Sequence, residues 1–247
     1  MRLFASLLIL LIASLSDASL VRAAEPQKSD VVETFRRNML PDEASADGLV
    51  RKWSKDIRLT VLTEKGADPR LVELVGSTFR QIEELTPVQV RYVTDRPNFV
   101  VIFVDNLGAE IENYREILKY TFADEADFNR YIAEAKASRR HYLTFRATNP
   151  QSEIAIFCMV VSIQREPFEN ELSPENYLLR GILNGIGLGT GNVDTLSVFN
   201  ARLDLRVLSD IDKVLVKTFY APTIAPNMPM SSAGEAFESA LDAAAFR

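Results

Sequence analysis

The chain has 247 residues, is 47% hydrophobic, and carries 28 Lys and Arg against 34 Asp and Glu for a formal net charge of −6. That length supports one core of ordinary size or two small lobes, and the apolar share is that of a globular protein. An acidic chain with scattered cations argues against nucleic-acid binding, and no basic amphipathic helix marks it for a membrane surface.

Arg2, the apolar run from Leu3 to Leu15 and the triplet Val21-Arg22-Ala23 read as a secretory signal, cut after Ala23 or at the neighbouring Ala24. The run is too short to span a bilayer. No Cys follows it, which argues against a lipid anchor. The expectation is a periplasmic or secreted protein with no stable membrane insertion once residues 1–23 are removed. Residues 24–50 form a lead, with a helix over Asp30 to Met39 that stops before Pro41.

Ile57 to Leu62 alternates as a strand. Asp68-Pro69 opens a helix whose apolar members Leu71, Val75, Phe79 and Ile82 share a face. Val88 to Val93 reads as a second strand, and the continuous apolar run Phe99 to Val104 as a strand covered on both faces. Two acidic helices follow, Glu110 to Tyr120 and Asp124 to Lys136. The stretch Asp124 to Asp127 reads as a charged first turn rather than a calcium site. A hairpin then joins His141 to Arg146 with Glu153 to Ile163, turning at Asn149-Pro150-Gln151-Ser152. Ser173-Pro174 caps the helix that carries Arg180. Ser209 and Asp212 begin another with a capping-box pattern. A tail rich in Pro and Met leads to an amphipathic helix, Gly234 to Phe246, with Phe237, Leu241 and Phe246 as its apolar members.

Cys158 is the only cysteine, so no disulfide forms within the chain, and its apolar setting makes it a small buried hydrophobe. His141 is the only histidine and reads as a strand-end residue. One His and one buried Cys cannot supply a usual zinc site.

The segment after Ser173 carries the functional question. Leu178, Leu179, Ile182, Leu183 and Ile186 recur at helical intervals and mark a buried side. Arg180 and Asn184, four apart, share another face, and Gly181 and Gly185 flank them as a bare strip. Each glycine within a helix costs about 1 kcal/mol relative to Ala. Either another segment packs closely on the strip, or the strip floors a shallow groove in which Arg180 holds a carboxylate or a peptide terminus. The run from Gly185 to Gly191 follows a helix and lacks the Lys-Ser/Thr of a phosphate loop, so it reads as a helix end and a turn.

Leu178 to Tyr220 resembles the active-site helix and following turn of the metzincin zinc peptidases, matrixins especially, whose pattern is H-E-x-x-H-x-x-G-x-x-H. Aligned on Gly187, the three ligand positions hold Arg180, Asn184 and Thr190, and Gly181 stands where the catalytic Glu would be. Arg offers no lone pair, Asn and Thr are weak neutral ligands, and no general base remains. Ser197-Val198-Phe199-Asn200 falls where a Met-turn would lie.

Over roughly Trp53 to Met228 the chain is also similar to a bacterial family of exported proteins, domain-of-unknown-function family 2927. The shared features are Arg51-Lys52-Trp53, Gly187-Leu188, Ser197 to Asn200, Asp212 with Phe219-Tyr220-Ala221-Pro222, and Pro226-Asn227-Met228. Members usually carry Glu and Gln in the helix, where Gly181 and Asn184 stand here. The resemblance implies an α+β, zincin-like fold: a mixed open β-sheet packed on helices, with a small C-terminal helical lobe. It places the domain at 51–228 and a separate amphipathic helix at 229–247. With Arg180, Asn184 and Thr190 at the ligand positions, no metal is expected, and no cofactor. Three functions remain open: a non-catalytic domain binding a peptide or envelope protein through Arg180, Gly181, Asn184, Gly185 and Thr190; a metal-free hydrolase using Asp194, Asp204 or Asp212; or a structural envelope protein assembling through its C-terminal helix.

Overall fold

The structure is a computed structural model that describes residues 26–40, 48–63, 68–121, 124–137, 141–163 and 172–245. The expected signal peptide and Phe246 lie outside them. Five strands make one mixed sheet in the order β2-β1-β3-β5-β4. They are β1 (Ile57–Thr63), β2 (Val90–Tyr92), β3 (Phe99–Val104), β4 (Tyr142–Thr148) and β5 (Ile154–Ser162). All neighbours run parallel except β4, which returns antiparallel along β5. Both arms of the hairpin therefore join the sheet. The second strand is shorter than its alternating pattern; it pairs from the Gln89 carbonyl, which accepts from the Ile57 amide at 2.8 Å, and its outward Val90 amide donates to the Glu83 carboxylate at 2.8 Å.

β3 is central, and all six of its residues are buried. Its alternation divides the interior: Phe99, Val101 and Phe103 enter a large core on one side, while Val100, Ile102 and Val104 enter a smaller one on the other. On the smaller side lie α3 (Leu107–Glu110), α4 (Arg115–Leu118) and α5 (Glu125–Ala137). The first acidic helix thus begins earlier than expected and is interrupted by a tighter turn over Ile111–Tyr114. Asn106 starts it by accepting from the Ala109 amide at 3.0 Å. The tightening keeps Leu107, Ile111 and Leu118 all buried against the sheet.

The larger side holds α1 (Lys28–Met39), α2 (Pro69–Leu85), α6 (Pro174–Gly185), α7 (Asp210–Phe219) and α8 (Met230–Ala245). α8 is no appendage. Phe237 is fully buried and stacks on Phe35 of α1 at 4.0 Å, and Ala233 and Leu241 are buried beside it. The lead and the tail, expected as segments flanking the domain, close its core instead. The apolar residues of α8, on which one of the three open functions relied for assembly, are packed within the chain.

Candidate functional site

α6 lies under the sheet. Ser173 accepts from the Asn176 amide at 3.3 Å and Pro174 supplies a fixed φ, so the helix starts as its cap predicts. Leu178, Leu179, Ile182, Leu183 and Ile186 are all fully buried. The helix ends in a Schellman turn: the Leu188 amide reaches the Leu183 carbonyl (3.1 Å) and the Gly187 amide the Asn184 carbonyl (3.0 Å), with Gly187 at φ +111°. Any Cβ at Gly187 would also meet the Arg51 carbonyl at 2.1 Å. The next two carbonyls are capped from outside, Gly185 by the Trp53 indole (2.8 Å) and Ile186 by the Tyr220 hydroxyl (2.7 Å). Lys52 packs beside them, buried, with Nζ donating to the Phe219 carbonyl at 3.3 Å and lying 5.3 Å from the Tyr220 ring centre. Burial pushes its amine down to about 8.

The glycine strip faces the sheet. A Cβ on Gly181 would lie 2.0 Å from Met159 Cε, and one on Gly185 would lie 2.5 Å from Phe99 and 2.7 Å from Phe157. The groove expected beside Arg180 is therefore filled by three side chains of β3 and β5, and the close-packing reading of the glycines is the correct one. Asn184 is also removed from the site. It is 7% exposed, and its Nδ2 donates to the Leu188 carbonyl at 3.0 Å, holding the helix end.

Arg180 stands apart on the same helix. It is half-buried, and its Nε donates both to Asn176 Oδ1 (2.8 Å) and to the Val198 carbonyl (2.7 Å). Its Nη2 is sealed from solvent with no hydrogen-bond partner among the described residues. Burial lowers the guanidinium's pKa, against the pull of Tyr142, Tyr177 and Asp212. Asp212 is fully buried and closes the other side of the loop. It accepts from Ser197 Oγ (2.6 Å), the Val198 amide (3.2 Å), the Ser209 amide (2.9 Å) and Ser209 Oγ (2.8 Å). Burial pushes its carboxyl up, while these donors pull it down. The tight turn Ser197 to Asn200 is thus pinned between Asp212 and Arg180, with each of its four residues buried.

Between the edge strand β4 and α6 opens a cleft of about 470 Å³ lined by Tyr131, His141, Tyr142, Leu143, Thr144, Tyr177 and Thr190. Thr190 is exposed at its mouth. Tyr177 of α6 stacks on His141 at 5.0 Å and tilts against Tyr142 at 5.7 Å. His141 is therefore a strand-end residue, as its sequence position suggests, but one turned into an aromatic wall. Of the expected binding residues only Thr190 lines this cleft; Arg180 lies behind it, within electrostatic reach of Tyr142 and Tyr177, and Gly181, Asn184 and Gly185 are buried away from it.

The carboxylates considered for metal-free hydrolysis are engaged elsewhere. Asp194 pairs with Arg37 at 2.9 Å on the surface, and Asp204 accepts from the Ser173 amide at 2.8 Å and pairs with Arg206. Asp212 spends its oxygens on the loop. Among the described residues, no three His, Cys, Asp or Glu side chains gather as a metal site requires. Cys158 is buried on β5, and burial pushes its thiol up to about 12.

A family model described as a protein of unknown function, DUF2927, matches residues 28–239. The chain belongs to that family. No curated protein and no solved structure matches it. The DUF2927 match begins at α1 and ends within α8, wider than the Trp53 to Met228 of the sequence resemblance, in keeping with a core that both helices close. The residues carrying that resemblance converge here. Trp53, Lys52 and Tyr220 hold the end of α6, Gly187 turns it, and Ser197 to Asn200 with Asp212 support Arg180 from below. Sequence reasoning missed Tyr142 and Tyr177, which line the cleft. The available signal was the two-residue period of β4, which puts Tyr142, Thr144 and Arg146 on the face toward α6.

Proposed function

We propose that this DUF2927 chain is an exported, metal-independent domain of zincin-like architecture that holds an acidic group of a peptide or protein partner at Arg180. The observation that carries this reading is the Arg180 head: Nε is fixed by Asn176 and Val198, while Nη2 is buried without an acceptor among the described residues. An unpaired guanidinium end away from water is costly. A carboxylate entering beside the Tyr142–Tyr177 wall would relieve that cost through charge-assisted hydrogen bonds.

The zincin-like reading rests on an open mixed sheet, a buried helix beneath it ending at a Gly187 turn, and a tight loop supporting that helix where a Met-turn would lie. Arg180 then occupies the position of a first zinc ligand, which exchanges a metal's positive charge for a fixed organic cation. The test is titration with a mixed pool of short peptides bearing free C-terminal carboxylates, and with the same pool amidated. Binding of the free acids that survives chelator and weakens about tenfold on amidation supports the reading. Equal binding of both pools, or of neither, refutes it.

A further inference from the structure

A second cationic feature lies at the opposite end of α6. In this acidic chain, arginines such as Arg36, Arg37, Arg91, Arg115, Arg130 and Arg206 each sit within 3.2 Å of a carboxylate. Arg146 and Arg51 do not. Neither guanidinium has a hydrogen-bond or ion-pair partner among the described residues, although Arg146 is half-buried.

Their placement is set by the sheet. Arg146 lies opposite Phe157 in the β4–β5 ladder, and the Phe157 ring contacts Gly185 near the end of α6. Arg51 immediately precedes Lys52, which bridges Glu153 at the start of β5, and its carbonyl abuts Gly187. Both residues thus belong to one corner, where the turn end of the hairpin meets the Schellman turn. Arg146 is not capping that helix. The carbonyls of Leu183, Asn184, Gly185 and Ile186 are already taken by Leu188, Gly187, Trp53 and Tyr220. The mutual effect of the pair is repulsive: burial, then the like charge of Arg51, brings Arg146 down to about 10.

We propose that Arg146 and Arg51 form an oxyanion subsite that takes a doubly charged phosphoryl group. Two guanidiniums with no counter-charge among the described residues leave an excess of two positive charges there. One carboxylate would neutralise half of it. A phosphoryl dianion matches it and offers three oxygens to two planar donor forks. The subsite is independent of Arg180 and of any ligand held there.

Calorimetric titration of the full chain with inorganic phosphate, at ionic strength held constant with chloride, tests this directly. Saturable binding of one phosphate per chain is expected. Arg146→Gln and Arg51→Gln should each weaken it about tenfold or more, as loss of a charge-assisted contact implies. Arg180→Gln should leave it within about twofold, as distant sites do. Arg51 is exposed, so its variant folds even if Arg146→Gln does not. A phosphoserine peptide that binds about tenfold tighter than inorganic phosphate would put the group on a chain, and equal affinity would make a free phosphate the ligand. Both outcomes keep the site. Phosphate that binds no better than chloride, both glutamine variants retaining full affinity, or succinate binding in its place overturns it.

Discussion

Replacing Gly185 with Ala separates a filled interface from an open groove. Helix propensity alone predicts a gain of about 1 kcal/mol for Gly→Ala within a helix. Packing predicts the reverse. The new methyl would lie 2.5 and 2.6 Å from Phe99 and 2.7 Å from Phe157. Those rings cannot retreat independently, since Phe99 also packs on Phe79 at 4.9 Å, on Phe157 at 4.7 Å and on Trp53 at 6.2 Å. Overpacking of this kind costs about 1–3 kcal/mol, and the wedged rings put Gly185 at the upper end. The net loss should be about 2 kcal/mol after the propensity gain, or roughly 4–8 °C in Tm for a chain of this size. Gly181→Ala meets the end of the flexible Met159 side chain, so its cost and gain should nearly cancel. Gly234→Ala in α8 meets nothing within 4 Å and should stabilise by about 0.5–1 kcal/mol. Urea unfolding of the three variants, with m unchanged, gives the order directly. If Gly185→Ala stabilised the protein as much as Gly234→Ala, the packing of α6 on Phe99 and Phe157 would be wrong.

Asp212→Asn should cost about 2–4 kcal/mol, because an amide cannot accept from all of Ser197, Val198 and Ser209; a loss under about 0.5 kcal/mol in urea titration would remove Asp212 as the loop's anchor. Lys52 titrates at about 8 when folded and near 10.5 when unfolded, so the unfolded chain binds more protons between those values and stability should rise with pH across that window. The rise should be about 2 kcal/mol and absent from Lys52→Met; identical pH profiles for the two proteins would place the Lys52 amine in water. Metal analysis of the purified chain should find well under one zinc per molecule, with Tm unmoved by chelator, and stoichiometric zinc would contradict the reading of Arg180, Asn184 and Thr190.

What the sequence revealed was what neighbouring residues decide. Ser173, Ser209 with Asp212, and Gly187 act within a turn or two of chain, so their caps and the end of α6 were readable in order. The burial of β3 followed from six consecutive apolar residues. The partner of the glycine strip did not follow, because Phe99, Met159 and Phe157 come from other strands and a glycine carries no mark of what approaches it. The helices α1 and α8 looked like flanking segments for the same reason: the Phe35–Phe237 stack joins residues 202 positions apart. At the site, Arg180 was found through its place in a helical pattern. Arg146 was not, since an unpaired arginine is recognised only when every nearby acid has been placed.

The central claim is that Arg180 is a binding group held by the fold, and Arg180→Gln tests it most directly. Its Nε bonds to Asn176 and Val198 contribute about 1–2 kcal/mol together, so the variant should remain folded with a modestly lower urea midpoint. Its affinity for the free-acid peptide pool should fall about tenfold or more, while the amidated pool binds both proteins alike. A variant that unfolds outright, or one that stays folded and binds the free acids as the parent does, would make Arg180 a structural residue and contradict the account.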